Sequence, residues 1–250
     1  MANHSAVPIP INAKVFDEND EEIGSINVLA NRKLDLQIFG YLQTHSRLGE
    51  IELADGSTKK VRYIPKQGNS QESLFKNFKK YVEENNEEPV VVCCFSTFKT
   101  KLRELKVRQM VVDKSIQLMG DDKPIKVYVI ETQFNIFQYV PYATMEQLVY
   151  GTNSATIKVY GYLLNKYKMA QGKDVVFYSK ELLAVLGMSD THMDNYRCIG
   201  AILYTLEAYG LLKYTIKTDS KNDGVIEKKI ITYLGVDLKK VERRNEGKKN

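Results

Sequence analysis

The stretch Gln37-Ile-Phe-Gly-Tyr-Leu42 recurs with conservative changes as Lys158-Val-Tyr-Gly-Tyr-Leu163, 121 residues further along the chain. A second set of apolar positions recurs at an offset of 101 residues. Its members are Phe98, Leu102, Leu105, Met110 and Val111 in the first copy, and Ile199, Leu203, Leu206, Leu211 and Leu212 in the second. The offsets differ by 20 residues, which the hairpin pattern at 50–64 and its flanks supply as one insertion. Such self-similarity indicates that one structural unit occurs twice.

The first copy has the pattern of three helices followed by a hairpin. Apolar residues at helical spacing predict helices over 34–45, 70–85 and 95–106. The first of these carries a single apolar stripe, for which we expect one buried face. Alternating residues on either side of a turn predict a hairpin over 110–131 and an additional one around Asp55-Gly56.

The second copy repeats the pattern. A short helix is predicted over 144–150, and a longer one follows it with Ser154 as its expected cap. After a short strand at 175–178, helices are predicted over 180–186 and from about 190 to Ala208. A hairpin with its turn at 219–224 completes the copy. We therefore expect an α+β fold with an N-terminal domain at 1–133, a C-terminal domain at 134–236 and a basic tail at 237–250.

Charge is distributed unevenly along a chain whose formal net charge is +5. Residues 1–140 hold 19 Lys and Arg against 19 Asp and Glu, whereas residues 141–250 hold 17 against 12. Within the balanced part the signs separate into blocks: 17–22 holds five acids, and 99–114 holds six bases against two acids. Sorted charge of this kind favours a surface that binds a polyanion.

Composition excludes several classes of protein. No apolar run reaches the length of about 20 residues that a membrane-spanning helix needs, and the N-terminus lacks the pattern of a secretory signal. Three cysteines, two of them adjacent, favour reduced and mostly buried thiols in the cytoplasm. Three scattered histidines and no C-x-x-C motif give no metal site. We expect no cofactor and no membrane partner.

The C-terminal copy resembles a known family. The resemblance is carried by Phe137-Gln-Tyr-Val-Pro141, Ala155-Thr-Ile-Lys-Val-Tyr-Gly-Tyr-Leu-Leu164, Tyr178-Ser-Lys-Glu-Leu-Leu-Ala-Val-Leu-Gly187 and Leu203-Tyr-Thr-Leu-Glu-Ala-Tyr-Gly-Leu-Leu212. Over residues 134–234 the chain is similar to the winged-helix domain of plasmid and phage replication initiators (Rep proteins) and replisome organisers. The resemblance implies two tandem winged helix-turn-helix domains that bind repeated sites in double-stranded origin DNA, with host replisome proteins as further partners.

The third helix of each copy is the predicted DNA reader, because it keeps one face in the core and leaves the other for a major groove. Arg197 is the best candidate for a bidentate contact with guanine. The candidate DNA-binding residues of the first copy are Thr97, Thr100, Lys101, Arg103, Lys106, Arg108 and Lys114. Those of the second copy are Thr191, His192, Asn195, Arg197, Lys217, Lys221, Asn222, Lys228 and Lys229.

The sequence does not favour an enzyme. It has no His-hydrophobic-His pair for a nickase and no phosphate-binding Gly-x-x-x-x-Gly-Lys-Ser/Thr loop. Gly120-Asp-Asp122 resembles a polymerase hairpin, but a wing turn is the simpler interpretation. Three alternatives remain: an initiator, a winged-helix regulator of transcription or conjugation that binds an operator, and a protein-binding adaptor. The hairpin at 50–64 also suggests a homodimer through its strand edge.

Overall fold

A computed structural model describes residues 6–10, 14–16, 22–25, 34–53, 55–84, 92–130, 137–170, 174–221 and 224–235. The expected basic tail at 237–250 and Asn222 lie outside these residues. The described elements mix helices with antiparallel strands, which confirms the α+β class. None of the described helices is long and apolar enough to cross a membrane.

The first half contains the three predicted helices and both predicted hairpins. Its elements are β1 (Ala6–Pro10), β2 (Lys14–Phe16), β3 (Glu22–Ser25), α1 (Asp35–His45), β4 (Arg47–Glu52), β5 (Thr58–Pro65), α2 (Gln71–Glu84), α3 (Phe95–Val107), β6 (Val111–Ile116) and β7 (Ile125–Ile130). The turn between β4 and β5 follows the chemistry of its sequence. Gly56 adopts a φ of +78°, and the side chain of Asp55 accepts a hydrogen bond from Ser57 N at 2.9 Å.

The second half also follows the prediction closely. Its elements are β8 (Phe137–Pro141), α4 (Tyr142–Gly151), α5 (Ser154–Met169), β9 (Val175–Phe177), α6 (Ser179–Leu186), α7 (Met193–Ala208), β10 (Leu212–Lys221) and β11 (Gly224–Leu234). The expected cap of α5 is wrong by one residue. Asn153 is the N-cap and accepts from Thr156 N at 3.0 Å, whereas the hydroxyl of Ser154 accepts from Gln37 N in the first half.

Both halves share one arrangement of strands. The first sheet has the order β4-β5-β7-β6 and the second the order β10-β11-β9, and every pairing is antiparallel. In each half the strand that precedes the last two helices pairs with the last strand of the hairpin, as β5 does with β7 and β9 with β11. The extra residues of the first half lie in β4 and also in α2, which has 14 residues against eight in α6.

The additional strand β4 helps to enclose a small second core. Met119 N, in the segment after β6, donates to Glu50 O on β4 at 2.9 Å, so the two edges of the sheet approach each other there. The enclosed side chains are those of Val61, Tyr63, Ile116 and Val127. The edge strand β4, which the sequence predicted to pair with another chain, therefore accepts a hydrogen bond from its own chain.

The main core belongs to both halves. Residues 35–44 of α1 are all buried, although the sequence predicted one apolar stripe, because α4 and α5 of the second half cover the other faces of this helix. The side chain of Gln37 donates to Val149 O at 2.6 Å and to Thr152 O at 2.9 Å. Strand β1 pairs with β8. The halves on either side of the predicted boundary at 133/134 thus share one core. Whether each half folds as a domain of its own stays a prediction.

Candidate nucleic-acid interface

Helix α3 has one buried face and one basic exposed face. Phe98, Leu102 and Leu105 point into the core. On the opposite side Lys99, Thr100 and Arg103 are exposed, as is Lys114 on β6, and Thr97 is half-buried in the first turn. None of the three exposed bases forms an ion pair with another residue that the structure describes. They form the part of the predicted interface that is open to a polyanion.

Two of the predicted DNA-binding residues point inward. Lys101 Nζ lies 3.3 Å from Asp35 Oδ1 and 3.0 Å from Glu104, and Arg108 NH1 lies 3.7 Å from Asp35 Oδ2. Asp35 is fully buried at the start of α1, and this burial raises its pKa even though the Lys101 ammonium acts in the opposite direction. The cluster fastens α3 to α1, and it leaves only about a sixth of the Lys101 and Arg108 side chains exposed.

Lys106 is also held by its own chain. Its Nζ lies 2.9 Å from Asp113 Oδ2, while Lys66 Nζ lies 3.0 Å from Asp113 Oδ1. Both ammonium groups lie over the ring of Tyr128, 4.8 and 5.0 Å from its centroid. Burial acts to raise the pKa of Asp113, but the hydrogen bonds from the two lysines outweigh it and the pKa is lowered. Lys66, which the sequence did not single out, therefore shares the Asp113 carboxylate with Lys106.

Helix α7 presents a face of different character. Its inward residues are Ile199, Ile202, Leu203 and Leu206, as predicted. The exposed residues of this helix are Met193, Asp194, Arg197, Cys198, Gly200, Ala201, Tyr204, Glu207 and Ala208. Arg197 is 77% exposed, and its guanidinium donates to Asp194 Oδ1 at 2.9 Å. With Glu207 also exposed, this side of the helix holds one base against two acids and is nearly neutral, in contrast to the basic face of α3.

The segment before α7 is arranged by hydrogen bonds among polar residues. Thr191 and His192 are exposed, and His192 is the N-cap residue of the helix. The half-buried Asn195 is turned back toward the chain, because its Nδ2 donates to Ser189 O at 2.7 Å. Thr191 and His192 are consequently the two predicted residues exposed ahead of the first turn, and the Thr191 hydroxyl lies 2.7 Å from Ser189 Oγ.

The second hairpin contributes fewer bases than expected. Lys217 is exposed, and so is Lys213, which the prediction had omitted. Lys228 is half-buried, and Lys229 is 6% exposed because its Nζ donates to Ser179 Oγ at 3.0 Å and to Glu227 at 3.3 Å. The side chain of Lys221, like Asn222, lies outside the described residues. Lys229 thus joins the hairpin to the start of α6 and is turned away from solvent.

The expectation of buried cysteines is wrong for two of the three. Cys94 and Cys198 are exposed, and Cys93 is half-buried. Cys94 is the N-cap residue of α3, and its sulfur lies 3.0 Å from Ser96 Oγ and 3.2 Å from Thr97 Oγ1. These hydrogen bonds lower the pKa of the thiol to about 7. The number of cysteines had suggested mostly buried thiols, but Cys94 lies where the chain turns into α3.

Across the described residues, the arrangement offers basic side chains on α3 and β6, an almost neutral face on α7, and lysines on β10. Grouped His, Cys, Asp or Glu side chains that could hold a metal ion do not occur within the described part of the chain. Comparison with known proteins gave no match: no family model, no curated protein and no solved structure is recognisably similar to this chain.

Proposed function

We propose that this chain binds double-stranded DNA sequence-specifically through two tandem winged-helix units, and that it starts replication at a plasmid or phage origin. The observation that carries the proposal is an order common to both halves once the extra strand β4 and the extra helix α4 are set aside. A helix, a strand, two further helices and a hairpin follow one another as α1-β5-α2-α3-β6-β7 and as α5-β9-α6-α7-β10-β11, and the three strands pair alike, as β5-β7-β6 and β9-β11-β10. In winged-helix proteins the third of the helices enters a major groove. Here α3 and α7 hold that place, and each turns one face to solvent.

The contacts with DNA are divided between the two halves. Lys99, Arg103 and Lys114 supply phosphate contacts from the first half, and Lys213 and Lys217 supply them from the second. Arg197 and the exposed residues ahead of α7 meet base edges. Lys101, Arg108 and Lys229 are left out of this interface because their charged groups are paired inside the protein.

Salt dependence of duplex binding tests the proposal. The five phosphate contacts would make the affinity fall about 500-fold between 50 and 200 mM salt. Fluorescence anisotropy with a random 30-bp duplex measures this fall. A flat response would favour the protein-binding adaptor instead.

A matched pair of triple variants locates the contacts. Neutralising Lys99, Arg103 and Lys114 with glutamine should weaken duplex binding and make its salt dependence shallower by about three ions. The control neutralises Lys76, Lys79 and Lys80 on α2, each of which pairs with a glutamate four residues away. Both variants lose three positive charges, so equal losses of affinity would contradict a specific role for α3.

The target DNA distinguishes an initiator from the alternative, a regulator of transcription or conjugation. An initiator should protect several direct repeats in the DNA next to its gene, whereas a regulator should protect one operator over a promoter. Footprinting of that DNA with the whole chain separates the two, and protection of a single promoter site would replace the initiator proposal by the regulator.

A further inference from the structure

Gly200 lies in the middle of α7, where the fold itself does not require a glycine. A Cβ atom at this position would meet nothing within 4 Å. The backbone there is ordinary helix, since Gly200 is not among the residues with positive φ. A glycine inside an exposed helix makes that helix less stable than an alanine would. The missing side chain therefore has no explanation in the packing of the chain.

The surroundings of Gly200 form a notch on the exposed side of the helix. Met193, Arg197, Gly200 and Tyr204 follow one another at i, i+4, i+7 and i+11, which places them in one line along α7. The three side chains of this line are each more than two-thirds exposed. Because no atom occupies the space over Gly200, neither Arg197 nor Tyr204 folds across it. Bare helix backbone is thus open between a guanidinium group and an aromatic ring.

We propose that Gly200 determines sequence specificity by letting the backbone of α7 approach the floor of the major groove, with the methyl group of a thymine seated in the notch. This inference rests on the proposed function. A side chain at position 200 would hold the helix away from the bases. Ala201, exposed beside the notch, extends the apolar surface that a thymine methyl contacts.

Arg197 then reads the neighbouring base pair. It lies one helical turn before Gly200, and its guanidinium is oriented by Asp194 at 2.9 Å. Such a guanidinium donates to O6 and N7 of guanine. The site is therefore expected to contain a guanine next to a thymine.

The charge of the adjoining hairpin favours DNA over a protein as the occupant. Strand β10 follows α7 directly and carries Lys213 and Lys217 on exposed positions. Residues 141–236, which contain them, hold 11 Lys and Arg against 9 Asp and Glu. An almost neutral reading face beside basic flanks suits base edges between two phosphate backbones.

The experiment uses the whole chain and a site selected from random duplexes. Gly200→Leu should bind the selected site about 10- to 100-fold more weakly, the range expected for loss of one base contact. Its affinity for random duplexes should stay within about threefold, because phosphate contacts are kept. Gly200→Ala, measured without DNA, should raise the Tm by about 2–4 °C and so establish that the fold accepts a side chain there.

Two controls make the result specific. Ala208→Leu places the same leucine side chain at an exposed position at the end of α7, away from the first turns, and should leave the selected site bound as before. Replacing thymine by deoxyuridine at the base pair next to the guanine removes only the methyl group, and it should weaken the wild-type protein but not Gly200→Leu. If wild type binds the selected site and Gly200→Leu binds it equally well, this inference is overturned while the proposed function stands. Absence of any duplex binding by wild type overturns both.

Discussion

Replacing Gly40 and Gly200 with alanine, one at a time, should change the stability of the protein in opposite directions. Both residues lie inside helices, so each substitution gains about 1 kcal/mol of helix propensity. At Gly200 nothing opposes this gain, because the added methyl group enters open space. We therefore expect Gly200→Ala to raise the free energy of unfolding by about 1 kcal/mol.

At Gly40 the packing of α1 against α4 should make the substitution destabilising. The new Cβ would lie 2.6 Å from Met145 Cε and 2.6 Å from Val149 Cγ2. Met145 is flexible, but the branched side chain of Val149 is stiff and buried, so the two helices must move apart. Overpacking of this kind costs about 1–3 kcal/mol. After the gain in propensity, Gly40→Ala should lower the free energy of unfolding by about 1 kcal/mol.

Urea unfolding at pH 7, followed by circular dichroism, measures both variants against wild type. The slopes should agree among the three proteins, so that the midpoints report stability directly. Wild type should unfold in one transition, because α1 is enclosed by both halves. If Gly40→Ala stabilised the protein as much as Gly200→Ala, the close contact between α1 and α4 would be refuted.

Three further predictions concern buried and reactive groups. Gln37→Leu leaves the carbonyls of Val149 and Thr152 without their side-chain donor. It should lower the free energy of unfolding by about 2–4 kcal/mol in the same assay. A loss below about 0.5 kcal/mol would mean that these hydrogen bonds between the halves are not formed. Burial raises the pKa of Asp35 above its ordinary value of 3.8, so its protonated form favours folding below that pH and the contribution is lost as the pH rises through the folded-state pKa. The stability of wild type relative to Asp35→Asn should accordingly fall as the pH is raised from 3 to 7, and a difference that rises with pH would show the opposite shift. The rate at which iodoacetamide alkylates Cys94 should rise with pH and reach its midpoint near 7, the pKa of this thiol, and Ser96→Ala should move that midpoint upward. Mass spectrometry of the labelled peptides measures the rate. A midpoint between 8 and 9 for wild-type Cys94 would contradict the prediction.

Elements with a strong local signal could be predicted from the sequence. The stripe of α7 and the turn at Asp55-Gly56 depend on residues a few positions apart, and the structure has both. The repeated stretch at Gln37 and Lys158 placed two equivalent helices correctly. The periodicity of apolar residues indicates whether a segment is a helix or a strand, and this was sufficient to predict the order of the elements along the chain.

Contacts between distant parts of the chain could not be predicted in the same way. Nothing in the spacing of α1 indicates that α4 and α5 cover its polar side, where Gln37 meets Val149 O. The predicted DNA-binding residues differ most from the structure, because helical spacing alone does not show which lysines on the outer face of a helix form ion pairs. Lys101 pairs with Asp35 of α1, and Lys229 donates to Ser179 Oγ at the start of α6, so the partner of each lysine lies far away in the sequence. An acid as isolated in the sequence as Asp35 gives no local sign of its partners.

If the chain binds DNA as proposed, the shared core fixes the distance between its two reading helices. Because α1 is enclosed by helices of both halves and β1 is bonded to β8, the separation of α3 and α7 is set by packed side chains and not by the length of a linker. A flexible tether would tolerate different spacings between the two sequences that are read. A rigid protein binds two sequences only at one spacing and one rotational phase along the duplex. Inserting about five base pairs, half a helical turn, between the two sequences would place the second groove on the far side of the DNA, where α7 could not reach it.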